Sequence, residues 1–405
     1  MQDSGRLHYV DHLRVAAFAI LIVYHASVAF FPDMAWLIES VDKSALLSTV
    51  MKFPRAWRLA LLFFIAGMGT WFAFRSVSGP AFLRERIVRL LVPLIFAMCV
   101  VVAPQVWLER VREDGYGGSF LTFWMQRYFA EGKYPDGQFT WAHMWFVAYL
   151  LTMTVACYPV FRLLADPRLR RVGVWFERLA ASNWIYLLFL LPLSLNLALT
   201  PWFPRQTNAL YNDGAWFAVW ASWFGLGFLF ARHHKAIVGF LVEQRWTSLA
   251  LAGGLTAFLY RYSWAGTGAM GTYETMTPFY KGMVFALAWT MILTLVGFAR
   301  RHLDRPVAAM AWLNRMVFPL YLVHQTIVVA ALYLLLPHDL GVGLTYALVL
   351  VATVGLSLAF AMLADRLPWP ARALVGLGEP PSSREPQVGG GVPALGKVGT
   401  LPGAR

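Results

Sequence analysis

Residues 6–31 read RLHYVDHLRVAAFAILIVYHASVAFF. The apolar run is long enough to cross a bilayer, which takes about 20 residues as a helix. Yet Asp11, His12 and Arg14 stand at its start, and His25 lies inside it. A charged residue at bilayer depth costs roughly 2.5–3.5 kcal/mol on insertion scales, which makes each such group a candidate for function. Arg14 and His25 are separated by about 16 Å along a helix. On one reading they mark two depths of a single channel or cleft within a bundle. On the other, Arg14 snorkels to the cytoplasmic surface and His25 is a neutral core histidine bonded to a backbone carbonyl.

The rest of the chain has the same character. Of 405 residues, 59% are hydrophobic, 16% aromatic and only 14% charged, with a mean hydropathy of +0.56. A soluble domain is nearer 45–50% apolar. Windows of about 19 residues give about ten candidate spans, near 13–31, 56–74, 89–107, 143–161, 183–199, 215–231, 246–260, 280–299, 316–336 and 343–363. The expected fold class is therefore all-α, a polytopic integral membrane helical bundle. Basic residues collect in alternate loops, 15 on one side against 9 on the other, which places the N- and C-termini in the cytoplasm. That asymmetry also accounts for the net charge of +13. No basic cluster carries the interleaved aromatics of a nucleic-acid module.

Residues 27–29 (SVA) imitate a signal-peptidase site, but the first helix is expected to be retained, because its polar residues make sense only inside a bundle. Cys99 and Cys157 both fall in apolar runs and read as buried thiols, with no disulfide framework. Residues 1–375 read as one transmembrane domain. Residues 376–405, rich in Gly and Pro and without periodicity, read as a disordered cytoplasmic tail.

Four other stretches can carry chemistry. Residues 82–93 (FLRERIVRLLVP) place Arg86 and Arg89 three apart, on one face of a helix turn, where two guanidiniums can clamp phosphates such as those of a cytosolic acyl-CoA. The inner-loop excess of arginine explains the pair equally without a ligand. Residues 141–149 (WAHMWFVAY) offer His143 as an acid/base or acceptor-binding group, or as an interfacial histidine. Residues 314–325 (NRMVFPLYLVHQ) place His324 beyond the bend expected at Pro319, as a structural group or a proton relay. In the last large outer loop, Trp264 and Glu274 suit the stacking and bonding of sugar rings, or belong to the aromatic belt. No GxSxG elbow, Walker motif, HExxH or metal-ligand cluster occurs. Acyl transfer to a hydroxyl needs only a base and a cation or dipole for the oxyanion.

Taken together, these stretches resemble the membrane acyltransferase-3 family. Arg14 and His25 match its Arg-x10-His pattern, preceded by Asp11. LFFIAGM at 62–68 is similar to its FF-x-x-SG segment, with Ala66 where Ser is usual. Arg86 and Arg89 followed by Pro93, HMWFVAYLL and LYLVH complete five motifs in order over about 6–365. Within the family, RERIVRLLVPLIF, GTYETMTPFYKGMVFALAW and NRMVFPLYLVHQ are similar to the branch that succinylates osmoregulated periplasmic glucans. The resemblance implies an enzyme of the bacterial inner membrane that holds no bound cofactor. It implies a cytosolic acyl-CoA donor, succinyl-CoA, and a periplasmic glucan hydroxyl as acceptor. In that scheme His25, Arg14 and Asp11 form the catalytic group and Arg86 and Arg89 hold the donor. His143, Glu274, His324 and Trp264 then serve acceptor binding or proton relay. An O-acetyltransferase of another envelope polysaccharide, or a polysaccharide transporter, are the rival readings.

Overall fold

The computed structural model describes residues 7–76, 79–265 and 277–378. They are helical almost throughout and form no sheet. In chain order the α-helices are α1 His8–Ser27, α2 Ala45–Ser76, α3 Gly79–Phe96, α4 Ala103–Glu113, α5 Phe120–Phe123, α6 Trp145–Ala156, α7 Tyr158–Ala165 and α8 Arg170–Ala180. They continue as α9 Leu190–Leu199, α10 Gly214–Arg232, α11 His234–Glu243, α12 Arg245–Leu259, α13 Pro278–His302, α14 Ala308–Leu335, α15 Gly341–Arg366 and α16 Trp369–Leu374.

Among the described residues, seven helical segments are long and apolar enough to cross a membrane, and nine if each of two bent pairs is one span. The sequence suggested ten. The difference falls on the span expected at 246–260, where α12 continues as a π-helical turn, Tyr260–Trp264, and the segment carries Arg245, Gly253, Gly254 and Arg261, which leave it too polar to count as a span. The two bent pairs are Ala142–Ala156 with Tyr158–Ala165, at 48°, and Pro167–Ala180 with Asn183–Leu199, at 90°. At the second bend the Ser182 side chain accepts the Trp184 amide and starts a new turn.

Proline shapes several of the long helices, and side chains from elsewhere take up the carbonyls it leaves. Pro54 sits inside α2 and has no N–H for the Val50 carbonyl. The Tyr260 hydroxyl donates to that carbonyl at 3.1 Å. A π-helical turn at Ala97–Val101 joins α3 to α4. In π register the Cys99 carbonyl would meet Pro104, which lacks a donor. Trp124 Nε1 donates to it instead at 2.7 Å, while the Tyr128 hydroxyl donates to the Met98 carbonyl at 2.7 Å.

These two contacts dock the long connection after α4 onto the bundle. Arg110 strengthens the docking by donating to Gln138 Oε1 at 2.8 Å and to the Pro135 carbonyl at 3.0 Å. The loop is therefore fixed to the bundle along its length.

Helices α2 and α10 pack backbone to backbone. A Cβ on Gly67 would lie 1.9 Å from the Phe224 carbonyl oxygen, and one on Gly227 would lie 1.9 Å from that of Phe64. The two glycines thus bring the two backbones together reciprocally, as small residues do in membrane bundles. The phenylalanines beside them fill the space around the crossing. Phe63 stacks on Trp220, and Phe64 packs edge-on against Phe230 and Trp289. The LFFIAGM segment is, in structural terms, a helix-packing device.

Cys99 and Cys157 are both free and half-buried, less enclosed than expected from the sequence. At the C-terminal end, Val375 and Leu377 are buried against the bundle. The rest of the expected tail, from 379, lies outside the described residues.

Candidate active site

One cavity of about 1220 Å³ runs through the bundle, lined by residues of α1, α2, α3, α4, α6, α10, α13 and α14. Arg14, Arg86 and Arg89 line one region of it, and His25 and His143 line it as well. Five of the residues singled out from sequence therefore share a single space. The arginine end and His25 are joined by a continuous cavity.

Helix α1 starts at His8, so Asp11 and Arg14 lie within it, one turn apart. Asp11 Oδ1 is 3.9 Å from Arg14 Nη1, which donates to Asn314 Oδ1 at 2.7 Å. Asp11 thus braces Arg14 from behind while Asn314 fixes it from α14. Arg86 reaches the same place from α3, with Nη2 donating to the Gly69 carbonyl at 3.4 Å. A Cβ on Gly69 would sit 3.3 Å from Arg14 Nη2, so the absent side chain makes room for Arg14. Two guanidiniums converge on one glycine, giving a concentrated positive field where a polyanion can be held.

At the other end of α1, His25 meets His324. The rings lie edge to edge in nearly parallel planes, with centroids 5.1 Å apart and an interplanar angle of 8°, and His25 Nδ1 lies 2.9 Å from His324 Nε2. The other nitrogen of His324, Nδ1, is 2.6 Å from the Tyr321 carbonyl. A carbonyl only accepts, so in the neutral ring His324 Nδ1 carries the proton and Nε2 is the acceptor. His25 must then donate from Nδ1, which leaves its Nε2 lone pair as the basic nitrogen. A backbone carbonyl of α14 thereby sets the tautomer of both rings, the carbonyl orienting one histidine and that histidine orienting the next.

His143 is held differently. Its Nε2 donates to the Leu322 carbonyl at 3.1 Å, its Nδ1 is 3.5 Å from Gln105 Nε2, and its own carbonyl accepts the Tyr321 hydroxyl. Its ring meets His324 edge-on with centroids 5.2 Å apart. With both nitrogens engaged, His143 packs and orients the His324 side of the site.

His324 does not line the cavity. It is fully buried behind His25. Trp264 does not line it either: the indole is 4% exposed, packed edge-on against Tyr260, and its Nε1 donates to the Tyr280 hydroxyl at 3.0 Å. The expected sugar-stacking face of Trp264 is thus covered by the α12–α13 packing. Glu274 lies outside the described residues.

Sequence reading missed several groups that the cavity brings in. Trp36, from the connection after α1, lies over His25 with centroids 5.7 Å apart. Glu39 accepts the Trp36 amide at 3.3 Å and the Lys43 ammonium at 2.7 Å. The Lys43 hydrogen bond holds the Glu39 carboxyl below its ordinary range. The Glu39–Lys43 contact is therefore kept at neutral pH and weakens as pH falls through that depressed value.

Arg58, on α2, is 5% exposed, and its guanidinium carbon sits 3.4 Å from the Tyr24 ring centroid. Its place in the first turn of the span expected at 56–74 gave little signal, since an arginine there reads as a helix-end residue. Beside the cavity, the Tyr149 hydroxyl donates to the buried Asp213 Oδ2 at 2.5 Å, and the Thr207 and Asn208 amides donate to the same carboxylate. This clamp fixes Asn208 at the cavity wall.

An all-helical membrane bundle with these motifs defines a class. The chain belongs to the acyltransferase-3 family, whose model, an acyltransferase domain, matches residues 7–364. It is thus a multi-pass membrane acyltransferase. Among characterised proteins it is similar to the glucans biosynthesis protein C of Escherichia coli O139:H28 (strain E24377A / ETEC), at 22% identity over 381 residues, covering 90% of this chain and 93% of the relative. The protein of the same name from Escherichia coli (strain K12) is 21% identical with the same coverage. No solved structure matches.

Proposed function

We propose that the protein is an inner-membrane O-acyltransferase that moves a succinyl group from cytosolic succinyl-CoA to hydroxyls of a periplasmic glucan. The observation that carries this reading is the shared cavity, with clustered arginines in one region and a histidine base of defined tautomer in another. The name of the similar proteins supports glucan as the acceptor. Both termini are then cytoplasmic, and the Arg14 end of α1 faces the donor.

Arg86 and Arg89 bind the phosphates of the donor, and the pantetheine arm extends along the cavity toward His25. A glucan hydroxyl enters from the Trp36 side. His25 Nε2 takes the hydroxyl proton as the oxygen attacks the thioester carbonyl carbon. The imidazolium that forms is steadied by His324, whose Nε2 accepts from His25 Nδ1. When the tetrahedral adduct collapses, the carbon–sulfur bond breaks, and His25 returns its proton to the leaving thiolate. The products are a succinyl ester and free CoA.

Two outcomes follow at the flanks of this chemistry. His324→Ala removes the acceptor that fixes the His25 tautomer, and kcat is expected to fall about 10²-fold, within the range for general acid–base catalysis. His324→Gln retains an acceptor and restores part of the loss, while KM for the donor stays within about 3-fold. The double variant Arg86→Gln/Arg89→Gln is expected to raise the donor KM at least tenfold with kcat little changed, since uniform binding is lost. Steady-state CoA release against donor concentration measures both.

The decisive experiment gives purified protein in nanodiscs succinyl-CoA, with and without periplasmic glucan, and follows free CoA and glucan-bound succinate. Glucan-dependent release is the expected result. Movement of glucan without CoA release would replace this reading with that of a transporter.

A further inference from the structure

We propose that Trp216, Trp220 and Phe285, with the amide pair Gln206 and Asn208, form a saccharide subsite that holds the sugar rings next to the one being acylated. The proposal rests on the acyltransferase reading and deepens it on the acceptor side.

The first observation is a part of the cavity that the mechanism does not use. At about 1220 Å³ the cavity exceeds the roughly 300–1,000 Å³ of a site for one small ligand. Beyond the arginines and the histidines, its wall is built from the connection between α9 and α10, the first two turns of α10, and α13. Trp216 lies 5.3 Å from Trp220 and 6.2 Å from Phe285 between ring centroids, each pair in planes 29° apart. All three line the cavity, and together they give it one broad aromatic wall.

The second observation is the polar edge of that wall. Gln206 Nε2 donates to Asn208 Oδ1 at 3.0 Å, which leaves Gln206 Oε1 to accept and Asn208 Nδ2 to donate. Both residues line the cavity. Asn208 is fixed through its backbone: its amide donates to Asp213 Oδ2 at 3.2 Å, and its carbonyl accepts Trp141 Nε1 at 3.2 Å.

The third observation is position. Trp141 stands two residues before His143, and Trp145, two residues after it, lies 6.4 Å from Trp220 between centroids. The wall therefore abuts the segment that carries His143, whose ring meets His324 behind His25. A pyranose has an apolar C–H face and a rim of hydroxyls, each both donor and acceptor. A flat aromatic wall with an amide donor and an amide acceptor at its edge complements both features.

The test uses periplasmic glucan and methyl glucoside, a single sugar ring that can reach His25 without filling the subsite. Trp216→Ala, Trp216→Phe and Gln206→Ala are assayed in nanodiscs for CoA release, and glucan binding is titrated calorimetrically without donor. Wild type is expected to favour glucan over methyl glucoside in kcat/KM. Trp216→Ala is expected to lower that ratio at least about tenfold and to weaken glucan binding by a similar factor, as loss of a central aromatic contact does. Trp216→Phe should recover part of the ratio, and Gln206→Ala should lower it about 3-fold.

A rise in the succinyl-CoA KM with an unchanged acceptor ratio would give the wall to the pantetheine arm and overturn the proposal. An unchanged ratio and unchanged glucan affinity in folded Trp216→Ala would overturn it as well. If Trp216→Ala does not fold, Trp216→Phe and Gln206→Ala decide, and ratios equal to wild type in both count against the subsite. A wild type that binds glucan through Trp216 yet releases no CoA removes the acyltransferase reading and leaves the subsite standing. A wild type that acylates methyl glucoside but does not bind glucan removes the subsite and leaves acyl transfer standing.

Discussion

His25→Gln is expected to leave a folded protein that releases CoA at 10³–10⁴-fold below the wild-type rate, the upper part of what a positioned base supplies. Glutamine is the informative replacement because its side-chain amide can still donate to His324 Nε2, the contact that His25 Nδ1 makes at 2.9 Å. The buried His324 then keeps a partner, and only the lone pair at the position of His25 Nε2 is lost. Donor binding should be unaffected, because Arg86 reaches the cavity beside Arg14, and Arg14 lies about 16 Å from His25 along α1. Single-turnover measurements with saturating succinyl-CoA and glucan, beside thermal unfolding of the same sample, check both halves. Full activity in this variant would retire His25 as the base, whatever the family pattern implies.

Gly67→Val or Gly227→Val is expected to have the largest effect on stability. An added Cβ would stand 1.9 Å from a carbonyl oxygen of the facing helix in either case. No rotamer change relieves a clash with backbone, so α2 and α10 must move apart. That movement unpacks Phe63, Phe64 and the tryptophans around them. Overpacking of a tight core costs about 1–3 kcal/mol or more, and this contact lies at the upper end because both partners are main chain. The expected result is loss of the monodisperse folded fraction in detergent, with Gly225→Val, whose added Cβ meets no other atom within 4 Å, as the control. Equal yields from the two helix-facing variants and the control would mean that the crossing is looser than the geometry requires.

Both predictions trace to motifs visible in the chain, but in different ways. The FF-x-x-G spacing is legible as a pattern in LFFIAGM. Its role is not, because the carbonyl that excludes a side chain at Gly67 belongs to Phe224, on another helix. His25 is conspicuous as a polar residue in an apolar run, and no local rule names its partner. His324 is 299 positions away. The tautomer that makes His25 Nε2 basic depends on a third group, the Tyr321 carbonyl.

Arg58 shows the limit from the other side. It stands in the first turn of the span expected at 56–74, where an arginine reads as an ordinary helix-end residue. Only the packing of α1 against α2 places it on Tyr24. Trp264 shows the reverse error, since an aromatic residue beside an outer loop suggests a sugar platform until the packing of Tyr260 and Tyr280 covers it.

By itself the sequence determined the solvent this chain must live in, its all-helical class and the few polar groups that a bilayer would otherwise expel. These are local quantities, set by hydropathy and helical period over one or two dozen residues. The tertiary structure decided which of those groups share a cavity and which ring nitrogen is basic. Each of these depends on contacts between helices distant in sequence, which packing forms and no single window contains.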